Sequence, residues 1–304
     1  MPFDIFGSEF TFSGSDGMPI VAYRWSKKAS PAGIVQLSHG MGEHAWRYRR
    51  VIEPVIEAGF AVYANDHRGH GKTATSPSEF GNYGAGGFDT MVGDMVEFSR
   101  VIKRENPESP LILLGHSMGS FGAQQYIINH SDLIDGVALA GSSAVDKLAE
   151  MMEQAGATVF DSFNTRFEPA RTPFDWLTRD PSIVDDYAHD PLCGFILQSE
   201  SMKSFYRAGQ KLANIEALKK IRRDLPIYLL AGDQDPINGS LELLKLVVSR
   251  YEAAGLGNVT YDFYQGGRHE ILNETNREEV YANLLAWMLS ALEVRSHKSE
   301  KATS

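Results

Sequence analysis

The chain has 304 residues, a formal net charge of −10 and one cysteine, Cys193. The length suits one large α/β domain, with or without an insertion, or two ordinary domains. The acidic charge argues against nucleic acid as a partner, and a single cysteine excludes an intrachain disulfide.

Segments that would direct the chain to a membrane or out of the cell are not evident in the sequence. The first residues lack a basic segment and a long apolar run, so we expect no signal peptide. No apolar stretch approaches the ~20 residues that cross a bilayer. Since folding does not depend on an oxidising compartment, we expect a cytoplasmic protein.

The predicted elements begin with a β-hairpin and continue as alternating strands and helices. Residues 9–13 and 20–25 form the predicted hairpin, joined by the turn at 14–17. Short apolar runs predict later strands at 33–38, 61–65, 111–114, 137–140, 225–231 and 259–264. Helical spacing of apolar residues predicts helices at 46–58, 88–104, 118–129, 240–254 and 275–292. This alternation indicates a mostly parallel sheet with helices on both faces.

The interval 142–224 interrupts this alternation. It spans roughly eighty residues, whereas a parallel crossover needs about a dozen. It is rich in methionine and aromatic residues, a composition that an ordinary core also shows. We interpret it as an inserted cap with its return crossover, lying over the carboxyl edge of the sheet, where open α/β folds bind ligands. Residues 1–141 and 225–294 are then the two parts of the core, and the polar segment 295–304 is expected to be a flexible tail.

The most specific pattern is Gly115-His-Ser-Met-Gly119, which follows an apolar strand and precedes a helical stretch. In this context G-x-S-x-G places the serine on a sharp strand-to-helix turn and exposes its hydroxyl at the end of the sheet. Gly115 and Gly119 remove side chains that would collide at such a turn. Ser117 is therefore a candidate nucleophile, and the alternative is a glycine-rich turn with a solvent-facing serine.

A serine nucleophile needs a base, usually a histidine that an acid orients. In folds with this turn the acid and then the histidine follow the serine in the chain. His269 lies between the last predicted strand and the final helix, which makes it the candidate base. The loop after strand 225–231 offers Asp233 and Asp235 as the acid. Asp235 is favoured because it reaches further beyond the strand.

A tetrahedral oxyanion needs two fixed N–H donors. We assign them to the backbone amides of Met118, at the start of the helix, and Met41, in the loop after strand 33–38. The histidines of that loop and of the following one lack an acidic or cysteine partner at a recognised ligand spacing, so we expect no metal. No phosphate-binding glycine motif is present, so we expect no nucleotide and no other cofactor.

Four linked motifs resemble the monoacylglycerol lipase and lysophospholipase branch of the α/β-hydrolases. They are His39-Gly-Met-Gly-Glu-His44 with Arg47-Tyr48, Asp66-His-Arg-Gly-His-Gly71, Gly115-His-Ser-Met-Gly119, and Asp235 followed by His269. The resemblance implies an α/β-hydrolase fold with an inserted cap. It also implies a triad and an oxyanion hole at the positions that match the family, namely Ser117, Asp235, His269, Met41 and Met118.

The resemblance also suggests substrate contacts. In that family the glutamate and arginine of the first motif lie near the polar head of the substrate, which here implicates Glu43 and Arg47. The alternative for this pair is a salt bridge that anchors the loop. The apolar cap of the family contacts acyl chains and membranes, which implicates Met151 and Met152 and a transient contact of the cap with a membrane surface.

The sequence thus predicts a serine carboxylic-ester hydrolase that works through an acyl-enzyme on lipid-like esters such as monoacylglycerols or lysophospholipids. Three alternatives stay open. A small-ester esterase would use the same scaffold. A serine aminopeptidase would need acidic cap residues to receive a free amine, for which Asp185, Asp186 and Glu200 are candidates. A non-catalytic ligand-binding protein usually lacks a triad member, and all three candidates are present here.

Overall fold

The computed structural model describes residues 6–155 and 159–302. Its centre is one eight-stranded sheet in the order β1-β2-β4-β3-β5-β6-β7-β8. The strands are β1 Phe6–Ser13, β2 Pro19–Ser26, β3 Ile34–Ser38, β4 Ala61–Asn65, β5 Leu111–His116, β6 Gly136–Ala140, β7 Ile227–Gly232 and β8 Val259–Tyr264. Strand β2 pairs antiparallel with β1 and β4, and every other pair is parallel. The predicted N-terminal hairpin and mostly parallel sheet are confirmed.

Ten helices accompany the sheet within the described residues. They are α1 Arg49–Glu57, α2 Gly87–Glu105, α3 Met118–His130, α4 Val145–Ala155, α5 Val159–Asn164, α6 Pro181–His189, α7 Ser199–Ala213, α8 Ile215–Leu218, α9 Glu242–Ala253 and α10 Arg277–Ala302. Short 3₁₀ turns lie at 45–48, 77–79, 131–133, 165–167 and 271–273. Among the helices that the structure describes, none is both long and apolar enough to cross a membrane.

The central strands β3 to β7 are buried on both faces, which explains why they are mostly apolar rather than alternating. Along β5, Leu111 and Leu113 join the core that packs under α2, α3 and α9. Ile112 and Leu114 point to the opposite face and join the core under α1 and α10. The period of two along a strand therefore supplies two separate hydrophobic layers from one short segment.

The interval 142–224 contains α4 to α8 and no strand among its described residues. Its side chains join the core on the α2, α3 and α9 side through Leu148, Phe163 and Phe205, among others. At the C-terminal end, α10 continues to Ala302, into the segment where the sequence suggested a tail from 295 onward. Residues 303–304 of that segment lie outside the described part of the chain.

The carboxyl ends of β3, β5, β7 and β8 meet at one edge because these strands are parallel. Each of the loops that carry a candidate site residue leaves the sheet at this edge. The topology therefore brings Ser117 and His269 together, although they are 152 positions apart in the chain.

Candidate active site

Ser117 occupies a strained turn between β5 and α3. Its φ is 51° and its ψ is −121°, a left-handed backbone that a non-glycine residue rarely adopts. A side chain on Gly119 would overlap the carbonyl oxygens of Ser38 and His39, and one on Gly115 would lie 2.6 Å from the carbonyl oxygen of Gly119. The two glycines thus permit the close backbone approach that holds this turn, and the strain is of a kind found at functional sites.

The serine hydroxyl, an imidazole and a carboxylate form one hydrogen-bonded chain. Ser117 Oγ lies 2.9 Å from His269 Nε2, and His269 Nδ1 lies 3.0 Å from Asp235 Oδ2. Because a carboxylate only accepts, Nδ1 carries the proton and Nε2 is free to accept one from the hydroxyl. The other oxygen, Asp235 Oδ1, accepts from the amide of Ile237 at 2.8 Å. Asp233 instead accepts from the amide of Gly266 at 2.8 Å, away from the imidazole.

The two histidines that border the cavity, His116 and His269, differ in pKa. Burial opposes charge on the imidazole of His269, but the Asp235 carboxylate and its hydrogen bond raise the pKa of His269 above its ordinary value. His116, whose ring centroid lies 4.9 Å from that of His269, has no such partner. Burial and the neighbouring His269 lower the pKa of His116 to about 4, so this ring stays neutral. Only His269 is therefore poised to gain and lose a proton near neutral pH.

A loop of fixed conformation carries the Met41 amide. His39 donates from Nδ1 to the carbonyl of Gly40 at 2.8 Å and accepts the His67 amide on Nε2 at 2.9 Å. The Gly40 amide donates to Glu43 Oε1 at 2.5 Å. The amides of Met41 and Met118 have no acceptor among the described residues, and both residues border the cavity beside Ser117. The arrangement leaves two N–H donors for a negatively charged oxygen.

Glu43 and Arg47 belong to a buried charge network. Arg47 is held by Glu43, and it makes a two-pronged contact with Glu270 at 2.8 and 3.0 Å. Its guanidinium also lies over the ring of Tyr187, 4.6 Å from the centroid. Burial penalises the carboxylate of Glu43, but Arg47 holds the pKa of Glu43 below its ordinary range. Glu43 and Arg47 thus form the salt bridge that anchors the loop, which was the alternative to a role in substrate binding.

Two of the expected substrate contacts do not reach the cavity. Glu43 borders it, whereas Arg47 lies behind Glu43 and Glu270. Met152 borders it, whereas Met151 points about 100° away around α4 and packs against the core instead. Glu270 borders the cavity and was missed in the sequence. Its position directly after His269 in the sequence could have indicated that Glu270 lies at the cavity.

The cavity above Ser117 has a volume of about 180 Å³ and is mostly apolar. The core contributes Ser117, His269, Glu43, Glu270 and the amides of Met41 and Met118. The cap supplies apolar side chains, among them Leu148, Met152, Phe163, Phe174, Trp176, Phe195 and Phe205. A few polar reacting groups thus lie in the wall of a mostly hydrophobic cavity, as in many small-molecule sites.

One segment of the cap, 175–179, is bonded to the loop that carries His269. The Glu270 amide donates to the carbonyl of Leu177 at 2.7 Å. Glu274 is fully buried, and its carboxylate accepts from the amide and the guanidinium of Arg179 and from the amide of Arg268. The Trp176 ring packs 5.1 Å from the His269 ring, centroid to centroid. We call this contact the histidine-loop staple.

A second cap segment, 190–195, contacts the loop that carries Met41. The Gly194 amide donates to the carbonyl of Gly42 at 3.0 Å, and Asp190 Oδ2 lies 2.9 Å from His44 Nε2. Gly42 has a φ of 65°, and a side chain there would overlap the carbonyl oxygen of Phe195. We call this contact the oxyanion-loop latch.

The latch also holds the one group of side chains in the described residues that could hold a metal ion. The ligand atoms of His44, Asp190 and Cys193 all lie within 4.8 Å of one another. The sequence pointed to no metal, because the two partners of His44 are distant in the chain and only the folded cap brings them close.

Comparison with known proteins identifies the family. The family model described as serine aminopeptidase, S33, matches residues 29–276. A monoacylglycerol lipase of Mycolicibacterium smegmatis is 29% identical over 296 residues, which cover 94% of this chain and 98% of that protein. A monoglyceride lipase of Rattus norvegicus is 27% identical over 271 residues, covering 86% and 82%.

A solved structure gives the same result. The carboxyl esterase from Bacillus coagulans, in complex with glycerol, matches with a TM-score of 0.85 and 31% identity over 94% of this chain and 99% of that one. The chain therefore belongs to the serine aminopeptidase S33 family of α/β-hydrolases, and it is a serine hydrolase.

Proposed function

We propose that this serine hydrolase cleaves monoacylglycerol-like carboxylic esters through an acyl-enzyme. The observation that carries the proposal is the continuous hydrogen-bonded chain Ser117–His269–Asp235 in the wall of a mostly apolar cavity. The names of the M. smegmatis and rat relatives, a monoacylglycerol lipase and a monoglyceride lipase, support this substrate class.

In the proposed acylation step, Ser117 Oγ attacks the ester carbonyl while His269 Nε2 takes the hydroxyl proton. Asp235 holds the ring in the required tautomer and stabilises the imidazolium. The amides of Met41 and Met118 bind the oxyanion that develops. The tetrahedral intermediate then collapses, the alkoxide of the alcohol takes the proton from His269, and the acyl group stays on Ser117.

In the proposed deacylation step, water replaces the alcohol. His269 Nε2 removes a proton from this water, which attacks the acyl-enzyme carbonyl. The second oxyanion occupies the same pair of amides. Its collapse breaks the bond to Ser117 Oγ, which recovers its proton from His269, and the fatty acid leaves.

The lining of the cavity supports an apolar acyl group and a neutral headgroup. The cap side of the cavity offers methyl, methylene and aromatic surfaces for the chain. Near Ser117 the charged groups that border the cavity are Glu43 and Glu270, and the positive charge of Arg47 is already shared between them. This excess negative charge would repel a phosphodiester, which favours monoacylglycerols over lysophospholipids.

The aminopeptidase alternative lacks its expected acids in the cavity. Asp185 pairs with Arg171, and Glu200 pairs with Lys203, both on the protein surface. Asp186 is exposed and lies beside His44 and Asp190, outside the chamber above Ser117. Glu43 and Glu270 are the acids at the site, and both are engaged by Arg47. A substrate with a free amine therefore has no uncommitted carboxylate among the described lining residues.

Two measurements test the proposed function. A fluorophosphonate probe should label the peptide that contains Ser117, and Ser117→Ala should abolish labelling. Hydrolysis rates should then be compared across acyl esters of increasing chain length, with a monoacylglycerol, a lysophospholipid and an amino-acid amide as separate arms. Label on another peptide, or activity confined to the shortest esters or to the amide, would overturn the assignment.

We also propose that the cap makes a transient contact with a membrane surface while the protein resides in the cytoplasm. Ile196 borders the cavity and is 54% exposed, so an apolar side chain lies at its rim. With a single cysteine, the fold does not depend on an oxidising compartment. Ile196→Ser should lower co-sedimentation with lipid vesicles while sparing hydrolysis of a water-soluble ester. Unchanged co-sedimentation would contradict the proposed contact.

A further inference from the structure

The oxyanion-loop latch contains three side chains whose chemistry is typical of a metal site. His44 offers an imidazole nitrogen, Asp190 a carboxylate oxygen and Cys193 a thiol sulfur, and these ligand atoms lie within 4.8 Å of one another. We propose that His44, Asp190 and Cys193 bind a borderline-soft divalent cation, Zn²⁺ in the first place, which bridges the cap to the core. The donor set carries this choice, because a thiolate is a poor ligand for Mg²⁺ or Ca²⁺ and a good one for Zn²⁺.

The geometry needs little adjustment to hold such an ion. Zn²⁺ lies about 2.0–2.3 Å from its nitrogen, oxygen and sulfur ligands, which places tetrahedral ligands about 3.5 Å apart. His44 Nε2 and Asp190 Oδ2 are 2.9 Å apart. The sulfur, within 4.8 Å of both, closes the remaining distance by side-chain movement of about 1 Å.

The backbone and the surrounding groups hold two of the ligands in place. Cys193 donates its amide to the carbonyl of Asp190 at 3.0 Å, so both side chains project from one tight turn after α6. The oxygen of Asp190 that does not face His44 accepts the Leu192 amide at 2.8 Å. Such a secondary hydrogen bond is the usual support of a ligating carboxylate.

An ion can reach the site from solvent. His44 and Asp190 border a surface depression of about 320 Å³, which leaves room for a water molecule as the fourth ligand. Of the cationic groups beside the site, Arg47 is neutralised by Glu43 and Glu270. Arg49 and Arg50 also border the depression, so we expect weaker binding than at a structural zinc site.

Binding of the cation should release one proton from Cys193. A cysteine thiol, whose ordinary pKa is about 8.5, is mainly protonated near neutral pH before an ion arrives. Coordination breaks the S–H bond, forms the metal–sulfur bond and releases one proton to solvent. Affinity should therefore rise with pH. Because His44 follows directly on the loop that carries Met41, the bound ion would tie the cap to that loop.

Cobalt titration of the full-length, chelator-treated protein tests the site without reference to activity. One equivalent of Co²⁺ should give a thiolate-to-cobalt charge-transfer band, and Zn²⁺ should displace it. In Cys193→Ser the band should be absent and the affinity for Zn²⁺ more than about tenfold lower. In Asp186→Asn, which removes an exposed carboxylate from the same depression, both should be unchanged. No band in the native protein, or an equal loss in both variants, would overturn the proposal.

Two further readouts separate this site from the triad. Zn²⁺ should raise the melting temperature of the native protein by a few degrees when it greatly exceeds its dissociation constant, and Cys193→Ser should lose that shift. Zn²⁺ should also slow ester hydrolysis in the native protein and leave Cys193→Ser unaffected. Equal inhibition in both proteins would show that the inhibitory ion binds without Cys193, and it would contradict the bridging site. Since the cobalt band is read without substrate, the proposed function can fail without affecting this test.

Discussion

The rim of the sheet and the cap obtain their contacts in different ways. At the rim, Ser117, Asp235 and His269 each follow a strand of one parallel sheet, and their mutual distances follow from the sheet itself. Among the cap's contacts with the rim are the charged histidine-loop staple and the oxyanion-loop latch. The comparison indicates that the core positions the reacting atoms, whereas the cap determines how the two loops that carry them are held.

The largest effect should come from the rim. Ser117→Ala removes the nucleophile and should lower kcat by about 10⁴–10⁶-fold, since residues that act as a unit lose nearly all catalysis when one is removed. Binding of an uncleaved substrate analogue and the melting temperature should stay close to those of the native protein. A residual rate within tenfold of the native one would contradict a role for Ser117 in the chemistry.

Asp235→Asn should lower kcat by about 10³–10⁴-fold, because an amide next to Nδ1 favours the wrong tautomer of His269. The matched control is Asp233→Asn two residues away, whose carboxylate bonds the Gly266 amide instead. It should keep most of the activity. Equal losses in the two variants would indicate a general disturbance of the loop rather than a specific role for Asp235.

The dependence of kcat/KM on pH should also depend on the contact between Asp235 and His269. His269 must be neutral to accept a proton, and Asp235 raises the pKa of His269. In the native enzyme kcat/KM should therefore fall as pH drops through a midpoint above the ordinary histidine value of about 6.5. In Asp235→Asn the midpoint should move to lower pH. An unchanged midpoint would show that the protonation of another group causes the loss of activity at low pH.

The staple can be broken without touching the triad. Glu274→Ala removes a fully buried carboxylate and leaves Arg179 and the amide of Arg268 without their acceptor. Arg179 is 34% exposed and can turn to water, so the main cost is that of the buried amides left without an acceptor. Such a loss costs about 1–3 kcal/mol, and chemical denaturation should show a decrease of that order. We expect kcat to fall as well, because the histidine loop loses its brace. Native stability in this variant would show that the staple contributes little.

The buried imidazoles at the rim should make the protein sensitive to acid. Burial lowers the pKa of His39 to about 4 and of His70 to about 3. Between those values and about 6.5 the unfolded chain binds more protons than the folded one, so stability should fall as pH falls. Replacing His70 with glutamine should make the slope of the free energy of unfolding against pH shallower. An unchanged slope in this variant would contradict a contribution of His70.

The smallest effect should come from the outer surface of the cap. Lys147 and Glu150 form an exposed pair on α4, 2.8 Å apart. Exposed pairs of this kind contribute about 0–1 kcal/mol. Lys147→Ala should therefore change the melting temperature by little more than the error of the measurement. A large loss would mean that the cap surface matters more to stability than its burial suggests.

Much of the rim could be predicted from the sequence. Strands 61–65 and 259–264 were located to the residue. A short apolar run marks the first, and valine, tyrosine and phenylalanine, which favour strands, mark the second. The order of serine, aspartate and histidine along the chain, together with the parallel sheet, was enough to bring three distant residues to one edge. The choice of Asp235 over Asp233 as the partner of His269 agrees with the observed hydrogen bonds.

The cap could be located but not described. Its contacts depend on tertiary packing between segments such as 175–179 and 268–274, which have no local signature. For the same reason Arg47 was expected to contact substrate, although two carboxylates enclose it. One position along α4 separates Met152, which borders the cavity, from Met151, which does not. The proximity of His44 to Asp190 and Cys193 likewise arises only when the cap closes on the core.

The close contact between the backbone at Gly42 and the carbonyl of Phe195 has a practical consequence. With a φ of 65° and the carbonyl of Phe195 directly above it, this position tolerates no side chain while the cap loop is in place. A single methyl group there would push the carbonyl of Phe195 and the cap loop away, and it would strain the backbone next to the Met41 amide. A substitution at Gly42 should therefore give an enzyme with a more open cavity. Such an enzyme would accept bulkier esters, and water would reach its reacting groups more easily.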